Sequence, residues 1–243
     1  MIIKNVDSTK KLSLEEFCHI CDQIGEFKDI EDLMKVAKPL VELANNENLL
    51  IDFLISELSD LALYQENSTY NIQSLNLATR ENYNVRMNFW PTSTEYQLEN
   101  KNVMSFFAYE FAHDHNFDFI TVGYTPRGYE TDIYNYSYKE LNAGDDIDLT
   151  FVGRFELKKG MVMIYEKSKD IHTQFPPQEF AISINLIPKQ SNANTQYSID
   201  LESKKINTVI QEGSPLFSLK KLVESIGDKY LIEKLEKRVN EFN

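Results

Sequence analysis

Phe111-Ala112-His113-Asp114-His115-Asn116-Phe117-Asp118-Phe119 places two histidines two positions apart among aromatic residues. A strand has a side-chain period of two, so a strand here turns His113 and His115 to one side. Two imidazoles on one face can share a metal ion. The sequence on both sides has strand composition. Residues 70–187 carry Tyr, Phe, Ile, Val and Thr in short runs broken by turn residues, and predict strands at 83–89, 103–110, 117–124, 129–137, 147–156, 161–166 and 180–187. Five of the eight glycines lie between 123 and 160, where tight corners are needed. Short strands about ten residues apart predict a jelly roll or closed barrel.

Before this region the period changes. Ser13-Leu14-Glu15-Glu16 is a capping box opening a helix, with Leu14, Phe17, Cys18 and Cys21 on one face. Leu33, Val36, Ala37, Leu40, Val41 and Ala44 form a second helical pattern, and Leu50, Phe53, Leu54, Leu58 and Leu61 a third. Pro39 implies a late start or kink in the second. Residues 188–204 read as a polar loop or weak hairpin, Ile206–Ile210 as a last strand, and Leu219 onward as helix. The division expected is a helical region over 1–66 packed on a barrel over 67–212, with a helical segment over 213–243.

The chain has 38 acidic against 25 basic residues, a net charge of −13. That balance argues against nucleic-acid binding, which needs Lys and Arg to neutralise phosphates, and against a polybasic membrane anchor. No apolar run reaches the roughly 20 residues of a membrane span, and the first residues lack an apolar signal core. Two cysteines do not make a disulfide framework. The expected setting is cytoplasmic. Cys18-His19-Ile20-Cys21 matches CxxC, but inside an amphipathic helix it reads as structural.

A third histidine, His172, sits in Asp170-Ile171-His172-Thr173-Gln174. The spacing of the three leaves the metal open, since imidazole suits Zn, Cu, Fe and Ni. His113-Asp114-His115, a Gly-bearing turn and Tyr129–Tyr134 resemble the first motif of a cupin. Gly160–Tyr165, Asp170–His172 and Ala181–Leu186 resemble the second. Within that superfamily the order is most similar to the cysteine dioxygenase family of thiol dioxygenases, over residues 75–190. The resemblance implies a cupin β-barrel, mainly β, with an N-terminal helical region and a C-terminal helix. It implies metal ligation by His113, His115 and His172, with Fe(II) as the expected ion and Zn, Mn or Ni as alternatives, and O₂ as co-substrate. It implies that Arg80, in Thr79-Arg80-Glu81-Asn82, contacts a substrate carboxylate.

Two departures matter. The cupin glutamate after His-x-His is missing, with Phe119 and Ile120 in its place, so the site is three histidines without a carboxylate. The Ser-His-Tyr relay of thiol dioxygenases is matched only at Ser183, with Asn185 and Ile187 at the other positions. Arg86 is a second candidate clamp for a carboxylate. Asp170, Gln174 and Ser183 are candidate partners for the second ring nitrogens. Phe111, Phe117, Phe119, Tyr124, Tyr134 and Tyr165 are candidate walls. A 2-oxoglutarate oxygenase is disfavoured, because no arginine follows His172 until Arg238. The expected function is an oxygenase or oxidase acting on a small or peptide-bound substrate, thiol- or amino-acid-derived. The alternatives are a metal-binding cupin that senses a ligand without turnover, and a Zn or Mn isomerase or lyase.

Overall fold

A computed structural model of the chain describes residues 1–59, 73–94, 107–190, 194–210 and 234. Twelve strands and four helices are present among them. The strands are β1 (Ile2–Asn5), β2 (Ser74–Thr79), β3 (Tyr83–Trp90), β4 (Ala112–His113), β5 (Phe119–Gly123), β6 (Glu130–Asn135), β7 (Thr150–Glu156), β8 (Met161–Tyr165), β9 (Asp170–Gln174), β10 (Ala181–Pro188), β11 (Gln196–Asp200) and β12 (Lys205–Ile210). They form two six-stranded antiparallel sheets, ordered β1-β8-β5-β10-β3-β2 and β12-β11-β4-β9-β6-β7. From β3 to β11 the chain crosses between the sheets at every step except the β6–β7 hairpin, as in a jelly roll, and the mainly β expectation holds.

Alternation along the strands sorts side chains into three layers. From the first sheet, Val85, Met87, Ile120, Val122, Ile164 and Ile184 face outward and pack on the helices. Trp90, Phe119, Met163, Tyr165 and Ala181 face inward, meeting Tyr129 and Ile133 between the sheets. On the far side of the second sheet Ala112, Ile171, Tyr197 and Ile199 pack with Tyr136 and Ile147.

The helices are α1 (Leu14–Ile24), α2 (Ile30–Lys35), α3 (Ala37–Ala44) and α4 (Leu49–Ser59). The capping box at Ser13 and Glu16 forms as the sequence predicts. Four helices stand where three were expected, because the second pattern breaks at Val36, which ends α2 and starts α3. Pro39 then falls in the first turn of α3, where its missing N–H forfeits no helical bond. Cys18 and Cys21 are buried in α1 as free thiols, and burial raises both above the ordinary thiol value. That opposes a reactive thiolate pair.

Three strands were not expected, β1, β2 and β9, and β11 falls in the stretch read as a polar loop or weak hairpin. Ile2–Asn5 pairs with Met161–Ile164 at one edge of the first sheet, so the N-terminal region supplies a strand as well as helices. Over 107–110 the expected strand is replaced by turns around an isolated bridge from Tyr109 to Gln174, with Ala108 and Glu110 at positive φ. Residues 103–106, the 66/67 boundary and the C-terminal helical segment, apart from the helical residue 234, lie outside the described residues. Among the described residues no helix is long and apolar enough to cross a membrane.

Candidate metal centre

The second sheet brings together histidines 59 residues apart. β4 pairs with β9 so that His113 and His172 are directly opposite, which turns both rings to the inner face. His115 lies just beyond β4 in a loop, not in the strand the sequence implied. The alternation survives because Asp114 is pinned to the opposite side. Its carboxylate accepts the Tyr197 amide N–H at 2.6 Å and the Tyr136 hydroxyl at 2.5 Å. Asp114 is fully buried, and burial pushes its carboxyl up to about 6 against those two hydrogen bonds. Thus His113 and His115 share a face while the residue between them anchors the segment from behind. The His115 carbonyl is held in turn by the Ser168 amide N–H at 2.7 Å.

The three Nε2 atoms converge. That of His172 is 3.1 Å from Nε2 of His113 and 3.1 Å from Nε2 of His115, and one ligand atom from each residue fits within 4.8 Å. Two nitrogens about 2.1 Å from a common ion are about 3.0 Å apart at a right angle and about 3.4 Å apart at the tetrahedral angle. The spacing matches adjacent corners of one coordination sphere. The tautomer of His113 follows from its other nitrogen. Nδ1 is 2.9 Å from the Phe111 carbonyl oxygen, which can only accept. The ring proton is therefore on Nδ1, and the Nε2 lone pair points into the cluster. Burial, followed by neighbouring His113, lowers His115 and His172 well below the usual imidazole value, with Arg86 adding to the effect on His115. Neutral rings are the form that binds a metal.

Aromatic rings surround the histidines. Phe111 lies 5.1 Å from His113, Phe117 4.8 Å and Phe119 5.0 Å from His115, and Tyr165 4.8 Å from His172, centroid to centroid. Tyr124 and Tyr134 are not walls. Tyr124 reaches the helices, donating to the Asn46 carbonyl, and Tyr134 packs on Phe151. Both strands turn those positions away from the inter-sheet space.

Arg86 and Arg80 part ways. Arg86 is on β3 with the inward parity of Asn88 and Trp90, opposite Asn185, and its charge acts on His115. Arg80 is in the turn after β2, exposed, with Nε 3.8 Å from the Asp22 carboxylate of α1. The turn puts it on the helix-covered side, so the structure does not bring it to the histidines. Ser183 faces inward but accepts the Trp90 indole N–H at 3.0 Å and touches no histidine ring. Asn185 accepts from Thr121 at 2.7 Å. Asp170 is taken by the Met1 ammonium at 2.7 Å and the Glu166 amide. Asp118 accepts the Lys167 amide, away from the cluster. Of the expected ring partners only Gln174 reaches a histidine, with its amide nitrogen 3.1 Å from Nδ1 of His172. The sequence passed over Trp90, whose ring lies tilted 4.0 Å from that of Tyr129, and Ser198, the register partner of His113.

No protein-family profile and no curated protein matches the chain. Among solved structures it overlaps a hydroquinone 1,2-dioxygenase from a Sphingomonas species with 4-hydroxybenzoate bound, at 7% identity, covering 52% of this chain and 70% of that one, with a TM-score of 0.34. It overlaps a structure of DMSP lyases at 8% identity, 51% and 50% coverage, TM-score 0.30. It overlaps a cupin-2 domain containing protein from Shewanella frigidimarina at 8% identity, 56% and 99% coverage, TM-score 0.29. The architecture therefore rests on the strand order and register given above.

Proposed function

We propose that His113, His115 and His172 hold a single Fe(II) ion and that the protein is a non-haem oxygenase or oxidase of a small or peptide-bound substrate. The observation that carries the reading is the convergence of three Nε2 atoms with no carboxylate among them. Three neutral ligands leave the full +2 charge of the ion, which favours an anionic substrate. When bound, the ion would supply Lewis acidity and one-electron redox chemistry toward O₂. Arg86 supports an anionic substrate, since a guanidinium pairs with a carboxylate through parallel hydrogen bonds. Phe111, Phe117 and Phe119 keep water from the substrate side of the histidines. Arg80 is left out of the clamp, and Ser183 is assigned to holding Trp90. Thiol- and amino-acid-derived acids are the first substrates to try, although Asn185 and Ile187 cannot replace the proton relay of thiol dioxygenases.

The test is metal analysis of chelated and reloaded protein, followed by O₂ uptake with a panel of small thiols, amino acids and short peptides. One Fe(II) per chain with substrate-dependent O₂ consumption is expected. Tight zinc with no O₂ uptake would overturn the oxygenase reading and favour a zinc lyase or isomerase.

A further inference from the structure

Gln174 and His172 are two residues apart on β9, on the same inward face. The amide Nε2 of Gln174 lies 3.1 Å from Nδ1 of His172. In this arrangement the glutamine donates, so the ring carries its own proton on Nε2. That proton faces Nε2 of His113 and of His115, each 3.1 Å away, and His113 is an acceptor there because its proton is committed to the Phe111 carbonyl. The chain from Gln174 through His172 to His113 is self-consistent without a metal, and two atoms of the cluster are left buried with no partner, Oε1 of Gln174 and Nδ1 of His115.

A metal ion demands the reverse. His172 must offer a bare Nε2, which moves its proton to Nδ1, where an acceptor is needed. A half-turn of the Gln174 carboxamide presents Oε1 to that N–H. We propose that Gln174 is a positioning residue that selects the His172 tautomer by this half-turn, donating to Nδ1 in the metal-free protein and accepting from it in the loaded one. One proton leaves Nε2 and one is taken up at Nδ1, so the ring stays neutral and releases none. The inference rests on the reading of the three histidines as a metal site.

Zn(II) serves as a diamagnetic probe. Long-range ¹H–¹⁵N spectra of histidine-labelled wild type should show His172 as Nε2–H after chelation and as Nδ1–H with one equivalent of Zn(II). Gln174→Met fills similar space without an amide, and should raise the Zn(II) Kd about 10- to 100-fold without lowering the thermal midpoint of the metal-free protein. Gln174→Glu, a permanent acceptor, should bind Zn(II) at least as tightly as wild type to within a few-fold. An Nδ1–H tautomer already present in metal-free wild type, or a wild-type Kd in Gln174→Met, would refute the switch while leaving the metal site standing. Failure of wild type to take up Zn(II) would refute the metal site itself.

Discussion

At the scale of single residues, His172 carries more of the site than its two partners. It is the most deeply buried of the three, and its Nε2 contacts both others. His172→Ala should abolish stoichiometric metal binding, read by elemental analysis of the purified variant. Retained metal at one ion per chain would refute the three-histidine assignment. Asp114 acts behind the site. Removing its carboxylate leaves the Tyr136 hydroxyl and Tyr197 amide buried and unpaired, so Asp114→Ala should lose about 2–4 kcal/mol in urea unfolding of the chelated protein. Asp114→Asn keeps an acceptor for the Tyr197 amide and should lose less.

At the scale of elements, the crossing between β5 and β6 depends on a close backbone approach. A Cβ on Gly128 would sit 1.9 Å from the Leu157 carbonyl oxygen, and one on Gly123 would sit 2.3 Å from that of Lys158. Backbone atoms cannot yield as a flexible side chain does. Gly128→Ala should therefore cost about 3 kcal/mol, measured by chemical denaturation. Gly144→Ala is the control: nothing lies within 4 Å, and only its φ of +91° is penalised, at about 1–2 kcal/mol. Elements also explain what the sequence concealed. β9 is buried at all five positions, yet its letters are Asp, Ile, His, Thr and Gln. β11 buries Gln196 and Ser198 within a stretch that reads as a polar loop or weak hairpin. Both strands face the histidine cluster or adjoin it, and a functional interior replaces the apolar residues that normally announce a strand. The inner strands of the first sheet, β3, β5, β8 and β10, whose outer faces carry Val, Ile, Leu and Met, were legible for the opposite reason.

At the scale of the whole molecule, the site joins β4, β9 and the loop before β5, and so spans the inner face of one sheet and the edge of the space beneath the other. A ligand that binds only the folded chain stabilises it by about 2.7 kcal/mol at a hundredfold excess over Kd. Adding Fe(II) under anaerobic conditions, or Zn(II), should raise the thermal midpoint of chelated wild type, and EDTA should reverse the rise. His172→Ala should show no such rise. An equal shift in that variant would place the bound metal elsewhere.

The sequence alone determined that His113 and His115 share a face, that α1 is capped at Ser13, and that the fold is mainly β with helices before it. Those readings depend on local period and local caps, which a few adjacent residues specify. Tertiary structure alone decided the rest. Pairing of β4 with β9 set His172 opposite His113. The parity of β3 turned Arg86 inward, while the turn after β2 carried Arg80 to Asp22. β9 put Gln174 rather than Asp170 or Ser183 on a histidine nitrogen. Each of these depends on which strand lies beside which and in what register. That choice is made by burial across the whole sandwich, and no short segment contains it.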